Sequence, residues 1–514
     1  MMRALELRIS WMAAAAGLAL VGSTVYVAAR AASVGFTYDE AYTYFRFVGA
    51  PLSTLVSFGG NADANNHTLN SLLMTLTSRA FGNSELALRL PNVLAFVGYG
   101  AAVLALMRRL RHSTSKVLGS VLLLLNPFLL EIFSLARGYG LALGFVVGSI
   151  AALAAAVDPG SGDVLARRRL AQAIALAAGA VFSNLACLNY FLPFAAVVVA
   201  LGLRLWRREK AGGESPGRRR AALVRALANP AVWTGVVGLF AHTAITRLRA
   251  IEGLYYGGQT GFWSDTVVSL IRCGLYAEPY SAALTPVVAV LVGIVLARGA
   301  VLVLRRSTGE PPGTLPLLRA LAFLLVMGSA ASVVEHAIFG TPYLINRTAA
   351  WMLPCFLLVL VLEVEIGLGS GARFLRLSSA AGGWVLIAAG LAHGVSSANT
   401  RYAILQYHDA DTKEMLRDLQ HVGSRSAGTG RGLILLASWE LAPSLEYYRV
   451  TRPLKWLEAV TSAPGPADAA FLSPKDAGLM GSRVIWKRYP ITQNILALAP
   501  EALPATPAPG TDAK

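Results

Sequence analysis

The 514-residue chain is 55% hydrophobic and only 14% charged, with a mean hydropathy of +0.55. Soluble globular proteins carry roughly 25% charged residues, so this composition excludes a water-exposed surface over most of the chain and indicates a polytopic membrane protein. The formal net charge of +17 does not indicate nucleic-acid binding, because the basic runs lie in alternate loops between apolar segments. That distribution is typical of loops retained in the cytoplasm.

Eleven apolar segments predict transmembrane helices, near residues 11–29, 89–107, 117–134, 138–157, 170–187, 190–206, 230–248, 285–304, 317–338, 348–366 and 379–396. A helix rises about 1.5 Å per residue, so each segment is close to the length that crosses a hydrocarbon core of ~30 Å. The basic loops place the N-terminus in the cytoplasm, and an odd number of helices then places the C-terminus outside. We therefore predict a membrane module over 1–396, with an outer loop at 31–88, an extracytoplasmic α/β domain over 397–498 and a disordered tail over 499–514.

The first outer loop begins with a paired carboxylate in the motif FTYDEAYTYF, residues 36–45. Asp39 and Glu40 lie at a membrane boundary, where ionisable groups are costly to desolvate and are usually functional. Asp39 is a candidate general base toward an acceptor hydroxyl or amine, and Glu40 is a candidate partner that orients it or binds a metal. The alternative is a solvated loop whose tyrosines anchor the chain at the interface.

A second motif in this loop, NADANNHTLN, contains His67, a candidate ligand for a metal or a phosphate. A lone histidine is more often neither. The leucines of the next segment, 68–81, recur with helical spacing and form an apolar stripe opposite Asn70, Thr75 and Ser78. This pattern predicts a short helix that either lies in the membrane interface or packs against other helices. The following segment, NSELALRLPN, is interpreted as mainly structural.

Further polar residues occur at other predicted outer boundaries. Glu131 and Arg137 interrupt the apolar run NPFLLEIFSLARGYG, where they either pair with each other or form part of a site, Arg137 binding phosphate through bidentate hydrogen bonds. Tyr343 and Arg347 precede another apolar segment and are candidate substrate-binding residues. Arg347 stands where topology disfavours positive charge, so it is either a phosphate ligand or a residue that snorkels to headgroups. The second long loop adds candidate cleft residues: Arg247, Arg249, Tyr255, Tyr256, Trp263, Asp265 and Arg272.

Residues after 397 change in character. The segments DADTKEMLRDLQ and ELAPSLEYY predict helices, and GLILLAS and RVIWKRY predict strands, a pattern that indicates a small α/β domain. The three cysteines, Cys187, Cys273 and Cys355, have no metal-ligand spacing and are expected to be free and buried. A Cys187–Cys273 disulfide is the alternative.

Three features together resemble the GT-C superfamily of polytopic glycosyltransferases: the Asp39-Glu40 pair, the segment NNHTLNSLLMTLTSRAFGNSELALRLPN, and Arg347 before a long helix. The nearest groups are the protein O-mannosyltransferase-like family (glycosyltransferase family 39) and the lipid A aminoarabinose transferases, and the likeness runs in order over residues 1–354. Thr68-Leu69 replaces the Pro-Pro of the family. The aminoarabinose transferases have a metal-binding Glu near this point of the segment, where this chain has Asn66. That difference argues against that particular activity.

The resemblance implies an inverting glycosyltransferase, and the Ala-, Leu-, Gly- and Arg-rich composition indicates a bacterial inner membrane. The enzyme would move a monosaccharide from a polyprenyl-phosphate donor to a lipid, glycan or protein acceptor at the outer face. Asp39 would be the base, Glu40 its support, and Arg137 and Arg347 the phosphate ligands, all meeting in one pocket. A divalent metal is left open, with Glu40 and His67 as candidate ligands. The alternatives are a secondary transporter or flippase, whose internal repeats are not found in this sequence, and an inactive scaffold.

Overall fold

The computed structural model describes residues 2–60, 62–158, 160, 162–211, 216–304, 314–426 and 432–503. These residues contain the helices α1 (Met2–Ser33), α2 (Tyr38–Phe47), α3 (Leu52–Ser57), α4 (Thr68–Phe81), α5 (Glu85–Met107), α6 (Ser113–Leu124), α7 (Pro127–Phe133), α8 (Gly138–Ala156), α9 (Asp163–Ser183), α10 (Leu188–Ala211), α11 (Pro216–Ala250), α12 (Val268–Gly274), α13 (Ser281–Leu304), α14 (Thr314–Phe339), α15 (Met352–Leu368), α16 (Arg373–Ser396), α17 (Thr412–Ser426) and α18 (Ala442–Thr451). The strands are β1 (Leu433–Ala437), β2 (Leu457–Thr461), β3 (Ala469–Leu472), β4 (Val484–Arg488) and β5 (Ile495–Leu498).

The prediction of a polytopic α-helical membrane protein is confirmed, and each of the eleven predicted segments overlaps a helix. Among the described residues, eight helices are long and apolar enough to cross a membrane by themselves, and a bent pair, α6 with α7, makes nine if it counts as one span. The other two predicted spans are α9, which has three arginines at 167–169, and α15, which is only 17 residues long.

The break between α6 and α7 has a local cause. The two helices are bent by 50° at Leu125 and Asn126. Pro127 has no backbone N–H to continue the α6 ladder, and the Asn126 side chain starts a new helix by accepting a hydrogen bond from the Leu129 amide at 3.2 Å. This second helix carries Glu131.

The chain forms two compact units, and the described residues of each fall within the following ranges. Unit 1 comprises Met1–Ala28, Pro51–Leu73 and Pro91–Ala398, and unit 2 comprises Ala29–Ala50, Met74–Leu90 and Asn399–Lys514. Unit 1 contains most of the apolar helices. Unit 2 contains the predicted α/β domain together with two stretches from the first part of the chain, and one of these stretches carries Asp39 and Glu40.

Unit 2 is built on a five-stranded sheet in the order β2-β1-β3-β5-β4. Strand β1 pairs in parallel with β2 and β3, whereas β5 pairs antiparallel with β3 and β4. All residues of β3 and β5 are buried, as expected for strands covered on both faces. The two helices and two strands predicted in this part of the sequence are confirmed as α17, α18, β1 and β4. Residues 500–502 form a short 3-10 turn, and the rest of the predicted disordered tail, 504–514, lies outside the described residues.

Helix α4 is present over the predicted residues, but its polar face is the buried one. Asn70 donates from Nδ2 to the carbonyl of Ala136 at 3.0 Å and accepts from Asn92 Nδ2 at 2.9 Å. On the other face, Leu76 remains 52% exposed. Leu69, Leu72 and Leu73 are partly exposed. The leucines therefore lie on the less buried face, as in a helix that presents its apolar stripe to lipid. Cys187, Cys273 and Cys355 are free and buried, so the alternative of a Cys187–Cys273 disulfide is wrong.

Candidate functional site

The predicted site residues fall into two clusters, one in each unit. Asp39 and Glu40 lie in the first turn of α2 in unit 2. Helix α2 begins there because Thr37 precedes it and Glu40 follows three residues later, the sequence signature of a capped helix start. The Glu40 carboxylate accepts hydrogen bonds from the Thr37 backbone N–H at 3.0 Å and from the Thr37 hydroxyl at 2.9 Å.

Glu40 is also the partner of Arg89, and both side chains are 0% exposed. Arg89 donates from Nε to Oε1 at 2.7 Å and from Nη2 to Oε2 at 2.6 Å. Its remaining N–H groups donate to the carbonyls of Ala31, Val34 and Gly35 at 2.7–3.0 Å. A guanidinium has five N–H donors, and all five are used here. The pair therefore fixes the turn that leads from α1 into α2.

The Asp39 carboxylate is 6% exposed and accepts a hydrogen bond from Gln406 Nε2 at 2.9 Å. This neutral amide orients the carboxylate without adding a charge. The neighbouring amide of Tyr38 donates to Asp409 at 2.7 Å, and Asp409 also accepts from the Ser444 hydroxyl at 2.7 Å. Residues from the C-terminal part of the chain thus hold the first turn of α2 in place.

An imidazole lies close to these acids. His408 Nε2 is 3.3 Å from the Asp409 carboxylate. Burial would lower the pKa of His408, but the hydrogen bond and charge of Asp409 outweigh it, with smaller effects of Glu440 and Asp39, so the pKa is raised above its ordinary value. The cationic form of His408 is therefore favoured in the folded protein.

Aromatic rings surround the first turn of α2. Tyr38 stacks with Tyr42 at 6.2 Å between ring centroids and meets the edge of Trp439 at 5.7 Å. Trp439 is 60% exposed. Trp439 was not predicted from the sequence as part of this site, because it lies 400 residues further along the chain than Asp39.

The second cluster, in unit 1, forms around the ring of Tyr139; we call His67, Arg137, Tyr139 and Arg347 the Tyr139 cluster. The guanidinium carbons of Arg137 and Arg347 lie 5.7 and 5.9 Å from the Tyr139 ring centroid. The His67 ring meets the same ring edge-on at 4.9 Å. The structure thus brings together three residues that the sequence analysis singled out and that are separated by up to 280 positions.

Local backbone features position these side chains. Arg137 is the N-terminal cap residue of α8, and its Nη2 donates to Asn65 Oδ1 at 2.8 Å. A Cβ added at Gly138 would lie 1.8 Å from the Ser183 carbonyl oxygen and 2.7 Å from His67, so only glycine permits this approach. On the other side, Arg347 follows Asn346, which adopts a positive φ of 47°, a conformation that asparagine tolerates better than most residues.

Glu131 lies near the same cluster. It is buried and accepts a hydrogen bond from the Tyr276 hydroxyl at 2.5 Å. Burial raises the pKa of the Cys273 thiol to about 12, and the nearby charges act on it in opposite directions, Glu131 raising and Arg347 lowering it. Tyr256 contributes a further ring, 5.1 Å from the Arg347 guanidinium carbon. Glu131 is thus an acidic neighbour of this cluster.

Tyr343 has a different environment. Its ring stacks on His336 with 4.2 Å between centroids, and its backbone pairs with Gly258 in an isolated bridge. These contacts fasten the chain just before Arg347 to the long loop that carries Tyr256. Tyr343 therefore supports the position of Arg347.

The described residues do not form a metal site of three or more His, Cys, Asp or Glu side chains. Both Glu40 oxygens accept hydrogen bonds from Arg89. Asn66 donates to the Leu55 carbonyl at 2.8 Å. Neither metal candidate, Glu40 nor His67, is accompanied by further carboxylate or imidazole ligands in this part of the chain.

No family model and no curated protein matches the chain. Among solved structures, ArnT from Cupriavidus metallidurans in the apo state is similar, with 15% identity over 96% of this chain and 98% of that chain and a TM-score of 0.41. The same protein bound to undecaprenyl phosphate gives 15% identity, coverage of 95% and 97%, and a TM-score of 0.42. The Archaeoglobus fulgidus oligosaccharyltransferase in complex with Zn and sulfate gives 13% identity, coverage of 84% and 61%, and a TM-score of 0.43. At these levels, the likeness by itself assigns no function to this chain.

Proposed function

We propose that the protein is an inverting membrane glycosyltransferase of the GT-C type, which transfers a monosaccharide from a polyprenyl-phosphate donor to an acceptor at the outer face of the membrane. The observation that carries this proposal is the pair of guanidiniums, Arg137 and Arg347, which share the ring of Tyr139. The acceptor class stays open among lipid, glycan and protein.

Two like charges in one place favour an anionic ligand. Two guanidinium carbons that lie 5.7 and 5.9 Å from one ring centroid are at most about 12 Å apart. At an effective dielectric constant near 20, their mutual repulsion is then at least roughly 1.4 kcal/mol. An anion between them removes this repulsion and accepts charge-assisted hydrogen bonds, for which the planar guanidinium and the phosphate group are well matched.

The placement of this cluster along the helices supports the outer face. Arg137 caps the start of α8, a helix of 19 residues, which spans about 28 Å. The opposite end of α8 has several arginines near it in the chain. They lie after α5 (108–111), in the first turns of α9 (167–169) and in the last turns of α10 (204–208). Since basic loops stay in the cytoplasm, the proposed orientation puts the Tyr139 cluster at the outer surface and the N-terminus in the cytoplasm.

Asp39 supplies the proposed base. It takes the proton of an acceptor hydroxyl or amine as the acceptor atom attacks the anomeric carbon. The bond between that carbon and the phosphate oxygen breaks, and the electron pair leaves with the polyprenyl phosphate. Arg137 and Arg347 stabilise the charge that develops on the departing phosphate. A single displacement inverts the anomeric centre. Glu40 and Arg89 act as positioning residues, because they hold the turn that presents Asp39.

Binding of the phosphate tests the proposal without knowledge of the sugar. The purified full-length protein is titrated with undecaprenyl phosphate and followed by native mass spectrometry. Each charge-assisted hydrogen bond contributes about 1.5–3 kcal/mol, so R137A and R347A are each expected to weaken binding by about 10- to 150-fold. The control is R373A, since Arg373 is an exposed arginine of the same unit at the start of α16 and is not a candidate site residue.

Turnover is then measured with a panel of labelled undecaprenyl-phosphate monosaccharides and membrane extracts as the acceptor source. Transfer of one sugar by the wild type and its loss in D39N would support the assignment. Undiminished binding of undecaprenyl phosphate by R137A/R347A would refute the role of the Tyr139 cluster. A current or a flux of substrate across the membrane of vesicles that contain the protein, without transfer of the sugar to an acceptor, would instead favour a transporter.

A further inference from the structure

A cavity of about 590 Å³ lies between α5, α8 and α9, at the end of α8 away from Arg137. Its walls are small apolar side chains, including Ala105, Gly148 and Ala152. Arg109, Arg169 and Gln172 also line it. All these residues belong to unit 1, and the rim residues Ala105 and Gln172 are exposed. The cavity is therefore an open groove on the surface of these helices.

The groove has the size and chemistry of a lipid chain site. A water molecule takes up about 30 Å³ of liquid, so the groove holds on the order of 20 groups of the size of water or methylene. An apolar cavity of this kind does not stabilise water, which needs polar partners. Hydrocarbon is the medium next to a membrane helix, and an acyl chain fills such a groove without loss of hydrogen bonds.

The charges at the groove select the headgroup. Arg109 makes an exposed ion pair with Asp158, with 2.7 Å between Nη1 and Oδ2, and Arg169 donates to Gln172 at 3.2 Å. Asp158 also lines a second cavity of about 260 Å³, together with Arg204 and Arg208. The segments 108–111, 158–169 and 204–208 contain nine arginines against two aspartates, a net charge of +7. A basic rim next to an apolar groove complements one anionic headgroup with its chain.

We propose that this groove binds an anionic phospholipid, with an acyl chain between α5, α8 and α9 and the phosphate at Arg109 and Arg169. The site lies at the opposite end of α8 from the Tyr139 cluster and does not depend on the glycosyltransferase assignment. A neutral membrane helix from a second copy is the competing occupant for a groove lined by alanine and glycine. Arg109 is paired with Asp158, but Arg169 donates to the neutral Gln172. Arg169 favours the lipid, because a phosphate offers it a countercharge and a neutral helix does not.

Lipid retention distinguishes these occupants. The purified full-length protein is exchanged into detergent with equal amounts of dioleoyl phosphatidylglycerol and dioleoyl phosphatidylcholine, and the bound lipids are counted by native mass spectrometry. The two lipids have the same chains, so their ratio reports the headgroup alone. We expect the wild type to retain phosphatidylglycerol over phosphatidylcholine by about tenfold or more, and R109Q/R169Q to lose this preference.

The control variant R373Q/R376Q removes the same charge from exposed positions in the first turn of α16, which do not line the groove. It is expected to keep the wild-type ratio. A152L fills the groove and is expected to release the lipid. Should R109Q/R169Q fail to fold, R169Q alone decides, since Arg169 is exposed.

Three outcomes would overturn the proposal. Equal retention of the two lipids by the wild type would show that the groove does not select an anion. An equal loss of preference in R373Q/R376Q would show that diffuse positive charge, and not this site, is responsible. A dimer that dissociates on A152L, without any lipid bound to the wild type, would assign the groove to a second copy of the chain.

Discussion

The buried pair of Glu40 and Arg89 gives the sharpest prediction, because its effect on the proposed base can be worked out from the structure. Arg89→Leu removes a guanidinium that serves one carboxylate and three backbone carbonyls. Glu40 stays behind without its countercharge at 0% exposure. Breaking a buried pair in this way is expected to destabilise the local structure by about 3–5 kcal/mol.

The amides of the turn report this loss directly. Val34 donates to the Arg30 carbonyl, Phe36 to the Tyr448 hydroxyl, Thr37 to Glu40 and Tyr38 to Asp409. Hydrogen–deuterium exchange of a peptide covering residues 34–41 measures the free energy of opening at these amides. A loss of about 3–5 kcal/mol corresponds to exchange that is faster by roughly two to three and a half orders of magnitude.

A matched control and a double variant define the interpretation. R449Q breaks the exposed Arg449–Glu446 pair of the same unit, whose side chains are 31% and 33% exposed, and is expected to change exchange at 34–41 by less than about fivefold. E40L/R89L leaves no unpaired charge, so it should be less destabilised than the sum of the two single variants. Additive effects of E40L and R89L, or unchanged exchange in R89L, would refute the positioning role.

The remaining predictions concern the two clusters separately. D39N is expected to lower turnover by about 100-fold or more with undecaprenyl-phosphate binding unchanged in titrations. G138A is expected to weaken that binding, because its Cβ would meet the Ser183 carbonyl oxygen. The raised pKa of His408 contributes stability that is complete below its unfolded pKa near 6.5 and is lost as pH rises through the folded value. Melting curves from pH 6 to pH 9 should therefore show a fall that H408Q lacks.

Hydropathy and periodicity were sufficient to predict most elements. The apolar segments and the helix and strand patterns of the C-terminal part all correspond to observed elements, because they depend on local composition and spacing. A break within one predicted transmembrane segment was harder to predict. The 117–134 segment is mostly apolar, yet Asn126 and Pro127 divide it into α6 and α7. Backbone hydrogen bonding, which hydropathy does not measure, decides that division.

Helix α4 shows what a single amphipathic pattern leaves open. The spacing of its leucines predicts two faces, but it does not say what each face meets. In a water-soluble domain the apolar face packs inward, whereas here Asn70 bonds to Ala136 and Asn92 inside unit 1 and Leu76 is exposed. The apolar composition of the whole chain could have suggested this inversion, since polar groups in membrane proteins find their partners inside the bundle.

The candidate site could be predicted only in part. Asp39, His67, Arg137 and Arg347 stand out because each is polar near an apolar segment. Tyr139, the ring that joins three of them, has no such signal, because a tyrosine after a glycine at the start of a helix is common. Only the fold shows that residues 137 and 347 approach it from different segments.

The role of an arginine next to an apolar segment depends on what its guanidinium faces. Arg89 faces a carboxylate and three carbonyls, groups that carry negative charge or the negative ends of dipoles. Its charge stabilises the backbone of unit 2 around these groups. Arg137 and Arg347 share the ring of Tyr139. Two guanidiniums at one place suit an anionic ligand such as a phosphate. For this reason loss of Arg89 should disorder the turn before Asp39, whereas loss of Arg347 should weaken phosphate binding and leave the fold of unit 1 intact.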